Sequence, residues 1–109
     1  MFFFEKKMAI YEFTPAELHE ALTANRVILV DVREPEEHAA ARIKTAINHP
    51  LSKFDPTGLP PGAVVLHCGV GKRSAMAAHL CAKAGVKIAG HLAGGLSAWN
   101  AAGLPVISS

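Results

Sequence analysis

The chain is poor in cysteine. Its 109 residues include two, Cys68 and Cys81, where a disulfide-stapled domain of this size carries more. One falls in a loop and the other about two turns along the helix that follows, too far apart for an unstrained bridge. Two free thiols and a reducing, cytoplasmic compartment are therefore expected. Charge of one sign is also scarce. The formal net charge is +2, and the basic residues are scattered among acidic ones, with no stripe that would follow a nucleic-acid backbone. No apolar run approaches the length of a membrane span. Phe2 to Phe4 is too short for a signal-peptide core, and charges follow at once. Residues 1–8 are read as a frayed extension, with a small hydrophobic contact surface as the other reading. Residues 9–109 are read as one domain. Internal repeats, low-complexity tracts and linkers are missing, and no His or Cys pair has the usual zinc-ligand spacing. No metal or cofactor is implied.

What is present is a core. Half of the residues are apolar, enough for a folded domain. Ala9 to Phe13 reads as a first strand. Thr14-Pro15-Ala16-Glu17 is a helix start, with Thr as N-cap, Pro at N1 and Glu at N3; Asn25 ends that helix. Val27 to Val32 is a strand without alternation, as when both faces are covered. Glu36 to Ala41 is a short helix or turn, Ala46 to Asn48 a brief strand, Leu51 to Asp55 a turn and Pro56 to Gly62 a loop. Ala63 to His67 is a strand. Arg73 to Ala84 is an alanine-rich helix stopped by Gly85. Val86 to Ala89 reads as a last strand, Gly90 to Gly95 as a second glycine-spaced loop and Leu96 to Ala102 as a closing helix. Strands alternating with helices predict an open α/β sheet of about five strands, mostly parallel, with helices on both faces.

Sites in such sheets lie at the carboxyl ends of strands. Cys68, the segment Asp31 to Arg33 and the region of His91 all fall there. Cys68-Gly69-Val70-Gly71-Lys72 forms a tight loop leading into a helix, whose first-turn N–H groups attract anions. A cysteine at the mouth of this loop, near Lys72 and Arg73, is placed to ionise. Cys68 is thus the candidate nucleophile. Gly69 and Gly71 allow the close backbone approach of an anion-binding loop. Ser74 is placed to cap the helix or bond the sulfur. Lys72 and Arg73 are placed to hold the anionic end of a substrate. Asp31 and Arg33 read as an internal pair in support, Cys81 and Trp99 as core, and His67 as a packed strand residue.

Four segments together resemble the rhodanese-like sulfurtransferases. They are Asp31-Val32-Arg33-Glu34 with Glu37, then Ala46 to Pro50, then His67 to Ser74, then His91 to Trp99 followed by Gly103-Leu104-Pro105-Val106. They cover nearly the whole chain after Tyr11, in the family's order. The resemblance implies a single catalytic domain in which Cys68 carries a persulfide between half-reactions. The sulfur donor would be a small molecule such as thiosulfate, and the acceptor cyanide, a thiol or a sulfur-accepting protein. Four positions depart from the pattern. The family has an aromatic residue near His38, Gly-His in place of Ala41-Arg42, and glycine in place of Thr45.

Other readings remain. The same cysteine would serve a relay module fed only by a partner protein. Cysteine-dependent phosphatases and arsenate reductases share the Cys, amide loop and Arg, but place five residues between Cys and Arg; here there are four. Gly71-Lys72 fails as a nucleotide P-loop, since Arg73 follows and position 66 is Leu.

Overall fold

The structure is a computed structural model that describes residues 10–109. The extension expected over residues 1–8, and Ala9 of the expected first strand, lie outside the described residues.

Five short parallel strands form the central sheet. β1 is Glu12–Phe13, β2 Ile28–Asp31, β4 Ile47–Asn48, β5 Val64–His67 and β6 Gly90–Leu92. Their order across the sheet is β1-β6-β5-β2-β4, all parallel. The helices are α1 Pro15–Thr23, α2 Pro35–Ala40, α3 Lys72–Lys83 and α4 Gly95–Ala101. Single 3₁₀ turns cover Leu51–Lys53 and Pro56–Gly58.

The two-residue period of the strands sorts the core onto two faces. Val30, Val64 and Leu66 point one way, against Ala77, Ala78 and Cys81 of α3. Leu29, Val65 and Leu92 point the other way, against Leu18 of α1 and Leu96 and Trp99 of α4. All of these are buried, and each fully buried Leu or Val contributes about 1.5–3 kcal/mol. This is why the strand around Val30 shows no alternation: helices cover both of its sides.

Local chemistry sets the ends of the elements. The Thr14 hydroxyl accepts from the Glu17 amide at 3.1 Å, and the Glu17 carboxylate accepts from the Thr14 amide at 2.9 Å. These reciprocal bonds start α1. Asn25, with φ 56°, turns the chain after it. At the end of α3, Gly85 (φ 73°) donates to the Ala82 carbonyl and Val86 to the Cys81 carbonyl, a Schellman cap.

That cap corrects one expectation. Val86 to Ala89 is not a strand; β6 begins at Gly90. Val86 spends its N–H on the helix end, and Val86 and Ile88 pack as apolar flanks against the α3-side core. The sheet takes over when Ala89 donates to Val64 and His91 to Tyr11. Gly90 is accordingly a strand residue, and a side chain there would collide with the Tyr11 carbonyl. The expected loop shrinks to a turn at Ala93 and Gly94, and Gly95 opens α4. A second pairing carries no sequence signal. β3 (Ala41–Arg42) runs antiparallel to β7 (Ile107–Ser108), in strands too short to show a period.

Candidate active site

Cys68 follows directly on β5, at the carboxyl end of the sheet. The loop after it is held by the turn between β6 and α4. The Leu96 amide donates to the Cys68 carbonyl at 2.8 Å and the Ser97 amide to the Gly69 carbonyl at 2.9 Å. This close docking requires glycine. A Cβ on Gly95 (φ 61°) would lie 2.6 Å from the Cys68 carbonyl oxygen, and one on Gly71 (φ 102°) would lie 3.3 Å from the Gly94 nitrogen. The second glycine turn is thus a brace for the first.

The loop wraps the sulfur. The amides of Gly71 and Ser74 donate to Cys68 Sγ at 3.1 and 3.3 Å, and the Ser74 hydroxyl lies 3.5 Å from it. Burial of the sulfur opposes ionisation. The Ser74 hydroxyl and the amides of Ser74, Gly71 and Val70 outweigh it and hold the thiol below its ordinary range. Among the described residues Cys81 has no such donors, and burial pushes its thiol up.

One site expectation needs correction. Cys68 is not at the mouth of the loop: its relative exposure is 0%, because the loop closes over it and α3 packs behind. The groups that touch the sulfur are neutral hydrogen-bond donors, which lower the thiol pKa, while Lys72 is exposed to solvent. Arg73 attracts the Cys68 charge through space, with its guanidinium against the loop at Gly69 and both terminal nitrogens on the Glu37 carboxylate of α2. Helix α3 starts at Lys72, one residue earlier than expected, with Gly71 as its N-cap.

Asp31 and Arg33 lie beside this loop. The Asp31 carboxylate accepts from Arg33 Nε at 3.0 Å, from Arg33 Nη2 at 2.8 Å and from the Arg33 amide at 2.9 Å. His38 Nδ1 is 2.9 Å from the same carboxylate, at the position where the family's aromatic residue was expected. His67 occupies the sheet register opposite Asp31 and is fully buried, with Nε2 3.7 Å from Asp31 Oδ1. Burial, opposed by the Asp31 charge, keeps its imidazole neutral at lower pH than usual.

Two contributors carry no explicit signal of role in the sequence. Glu37 stands in the first signature, and only the fold brings it to Arg73. His91 projects from β6 onto α3, where its Nδ1 lies 2.8 Å from the Ser74 hydroxyl. Among the described residues, no group of three His, Cys, Asp or Glu side chains is arranged to hold a metal ion. No helix among them is long and apolar enough to cross a membrane.

Residues 14–102 match the sequence profile of the rhodanese-like domain. An uncharacterized protein of Synechocystis is 41% identical over 98 residues, covering 87% of this chain and 55% of that protein. The probable adenylyltransferase/sulfurtransferase MoeZ of Mycobacterium tuberculosis is 39% identical over 92 residues, 79% of this chain and 24% of that protein. The chain therefore spans about half of one relative and a quarter of the other. A rhodanese-related protein of Thermoplasma volcanium superposes with a TM-score of 0.78 at 29% identity, covering 88% of this chain and 96% of that one. Because the profile runs from the N-cap of α1 past the end of α4, the chain belongs to the rhodanese-like domain family.

Proposed function

We propose that the domain is a sulfurtransferase that carries sulfur as a persulfide on Cys68, with thiosulfate as donor. The Cys68 thiolate attacks the outer sulfur of thiosulfate; the S–S bond of the donor breaks and sulfite leaves with its electron pair. The persulfide's terminal sulfur then passes to cyanide or a thiol, and the Cys68 thiolate returns. The loop from Gly69 to Ser74 supplies N–H donors to the anionic sulfur in both states, which needs no metal.

The observation that carries this reading is the pair of amides, from Gly71 and Ser74, aimed at the buried sulfur at 3.1 and 3.3 Å. Neutral fixed donors in a dry site stabilise a thiolate without reorganising. A reducing compartment, the cytoplasm, suits a chemistry that depends on a free thiol.

A second reading is a relay module loaded by a partner protein's persulfide. The pairing of Arg73 with Glu37 favours it, because that cation is no longer free to hold a sulfonate. The mycobacterial relative, in which the matched region is a minor part of a longer protein, also favours it.

Intact-mass measurement after exposure to thiosulfate tests the proposal. One added sulfur atom is expected on the wild type and none on Cys68→Ser, together with cyanide-dependent thiocyanate formation by the wild type alone. No adduct from thiosulfate, with an adduct from a persulfidated protein, would replace the first reading by the second. Release of phosphate from an aryl phosphate would overturn both.

A further inference from the structure

A thiol that must ionise inside the protein needs a way to lose its proton. Cys68 has no exposed surface, and the amides that face its sulfur can only donate. Among the described residues, the group in contact with the sulfur that can take a proton and pass one on is the Ser74 hydroxyl, 3.5 Å away. Ser74 is itself fully buried. Its oxygen has two other neighbours, His91 Nδ1 at 2.8 Å and the Gly71 carbonyl at 3.3 Å. A hydroxyl has one proton to give. Where that proton points decides whether the sulfur faces a donor or a lone pair, and the shortest of the three contacts is to His91.

His91 connects this buried pair to solvent. The imidazole is 6% exposed. Its Nε2 faces the Glu12 carboxylate at 3.9 Å, on the neighbouring strand β1, where Glu12 is the register partner of His91. The Glu12 side chain is 67% exposed. Sulfur, hydroxyl and imidazole thus form a contiguous polar series leading from the buried thiol, and the Glu12 carboxylate lies beyond its end at 3.9 Å, outside direct hydrogen-bond distance and on the solvent side. Burial lowers the His91 pKa and Glu12 opposes that, so the ring is neutral near pH 7 and can act as donor at one nitrogen and acceptor at the other.

We propose that Ser74 and His91 form a proton relay between Cys68 and the solvent at Glu12, with His91 as the residue that turns the Ser74 hydroxyl toward the sulfur. In the thiol form, Sγ–H donates to Ser74 Oγ, Ser74 O–H donates to Nδ1, and Nε2 carries its proton toward Glu12. On ionisation the sulfur's proton moves to Ser74, the Ser74 proton moves to Nδ1, and the Nε2 proton leaves to water past Glu12. One proton has left the protein. The thiolate now accepts from Ser74 O–H, which in turn accepts from Nδ1–H. His91 never touches the substrate; it is a positioning residue for the nucleophile. The relay serves the sulfurtransferase reading, but its test does not depend on any sulfur donor.

The test is the titration of Cys68, read from the thiolate ultraviolet band after subtracting the titration of Cys68→Ser. His91→Leu leaves the hydroxyl free to turn to the Gly71 carbonyl. It is expected to raise the Cys68 pKa by about one, a tenfold loss of thiolate at pH values below it. Ser74→Ala is expected to raise it at least as far, and the double variant no further than Ser74→Ala alone. His91→Asn, whose amide can stand where Nδ1 stood and donate, is expected to restore most of the loss. Ring-nitrogen NMR of the wild type should show His91 as the Nε2–H tautomer in the thiol form and the Nδ1–H tautomer in the thiolate form. A His91→Leu titration equal to wild type, or an equal increment in the Ser74→Ala background, overturns the relay. An unchanged tautomer across the Cys68 titration does so as well, whether or not the variants fold. Coupled titrations without loading by thiosulfate would sink the thiosulfate reading and leave the relay standing.

Discussion

Arg73 grips Glu37 through two parallel hydrogen bonds, Nη1 to Oε1 at 2.7 Å and Nη2 to Oε2 at 3.0 Å. The pair ties α2 to the start of α3 and so holds the lip of the loop around Cys68. It is a fork-to-carboxylate geometry that lysine cannot reproduce.

Glu37→Gln tests what this tie is for. Both side chains are more than a third exposed (37% and 40%), so solvent screens the pair and the loss of stability should stay below about 1 kcal/mol. Loop position should suffer more: the rate of sulfur loading on Cys68 is expected to fall about tenfold. The paired carboxyl titrates below the ordinary Glu range, chiefly because Arg73 bonds its charged form. Its small stabilisation is therefore complete above that ordinary range and disappears as the pH falls through the depressed value. Loading kinetics beside urea melts would separate the two effects. A large drop in stability with normal loading would contradict this assignment.

Asp31 answers to the opposite balance. It is fully buried, and Arg33 beside it is 5% exposed. Burial pushes the Asp31 pKa up, but Arg33, His67 and His38 prevail and leave it lowered. Asp31→Asn strands a buried guanidinium and should cost about 3–5 kcal/mol, a large part of what a domain of this size possesses. The sign for pH follows from the lowered value. The Asp31 contribution is intact above the normal carboxylate range and lost as acidification passes its depressed pKa, so wild type should lose stability there and Asp31→Asn should show a shallower slope. Urea midpoints across acidic pH would show it; parallel slopes in the two proteins would refute it.

Two glycines with nearly equal φ make a matched pair. Gly85 has φ 73° and nothing within 4 Å of an added Cβ, while Gly95 has φ 61° and the Cys68 carbonyl oxygen at 2.6 Å. Gly85→Ala should cost about 1 kcal/mol and leave sulfur loading intact. Gly95→Ala should cost at least twice that and abolish loading, because the loop must move away from the turn that braces it. Equal behaviour of the two variants in thermal melts and mass spectra would refute the brace.

Thr45 offers the reverse experiment. It is an exposed, β-branched residue at φ 71°, a conformation that suits glycine, and glycine is what the family pattern places there. Thr45→Gly should stabilise the domain by about 1 kcal/mol, a rise of a few degrees in Tm. A fall in Tm would show that the Thr45 side chain is needed where it is.

The parts of the fold that were legible in the sequence are those written in local chemistry. Thr14-Pro15-Ala16-Glu17 states its own capping box, and Val27 to Val32 states its double burial. The glycine loop between a β-branched run and an alanine-rich helix places Cys68 at a strand end. The parts that were not legible depend on partners distant in sequence. Val86 and Ile88 have strand composition, but the N–H of Val86 closes a helix. Arg73 reads as a free cation until the fold brings Glu37 to it, 36 residues away. Cys68 reads as accessible because a loop of small residues gives no hint that it will close. The role of His91 depends on register: Leu66 and His91 are paired across β5 and β6, which turns the imidazole to the α3 side and onto Ser74.

The order of the strands has a kinetic corollary. Among the described residues β1 has a single neighbour in the sheet, β6, and Glu12 meets His91 there. No early hairpin can nucleate such a sheet, since every pairing within it is parallel and spans a crossover. Pairing Glu12 with His91 brings together residues from near the two ends of the described chain, and the loop this closes carries an entropic cost. Long-range parallel pairings of this kind are expected to make the domain fold more slowly than a helical bundle of its length.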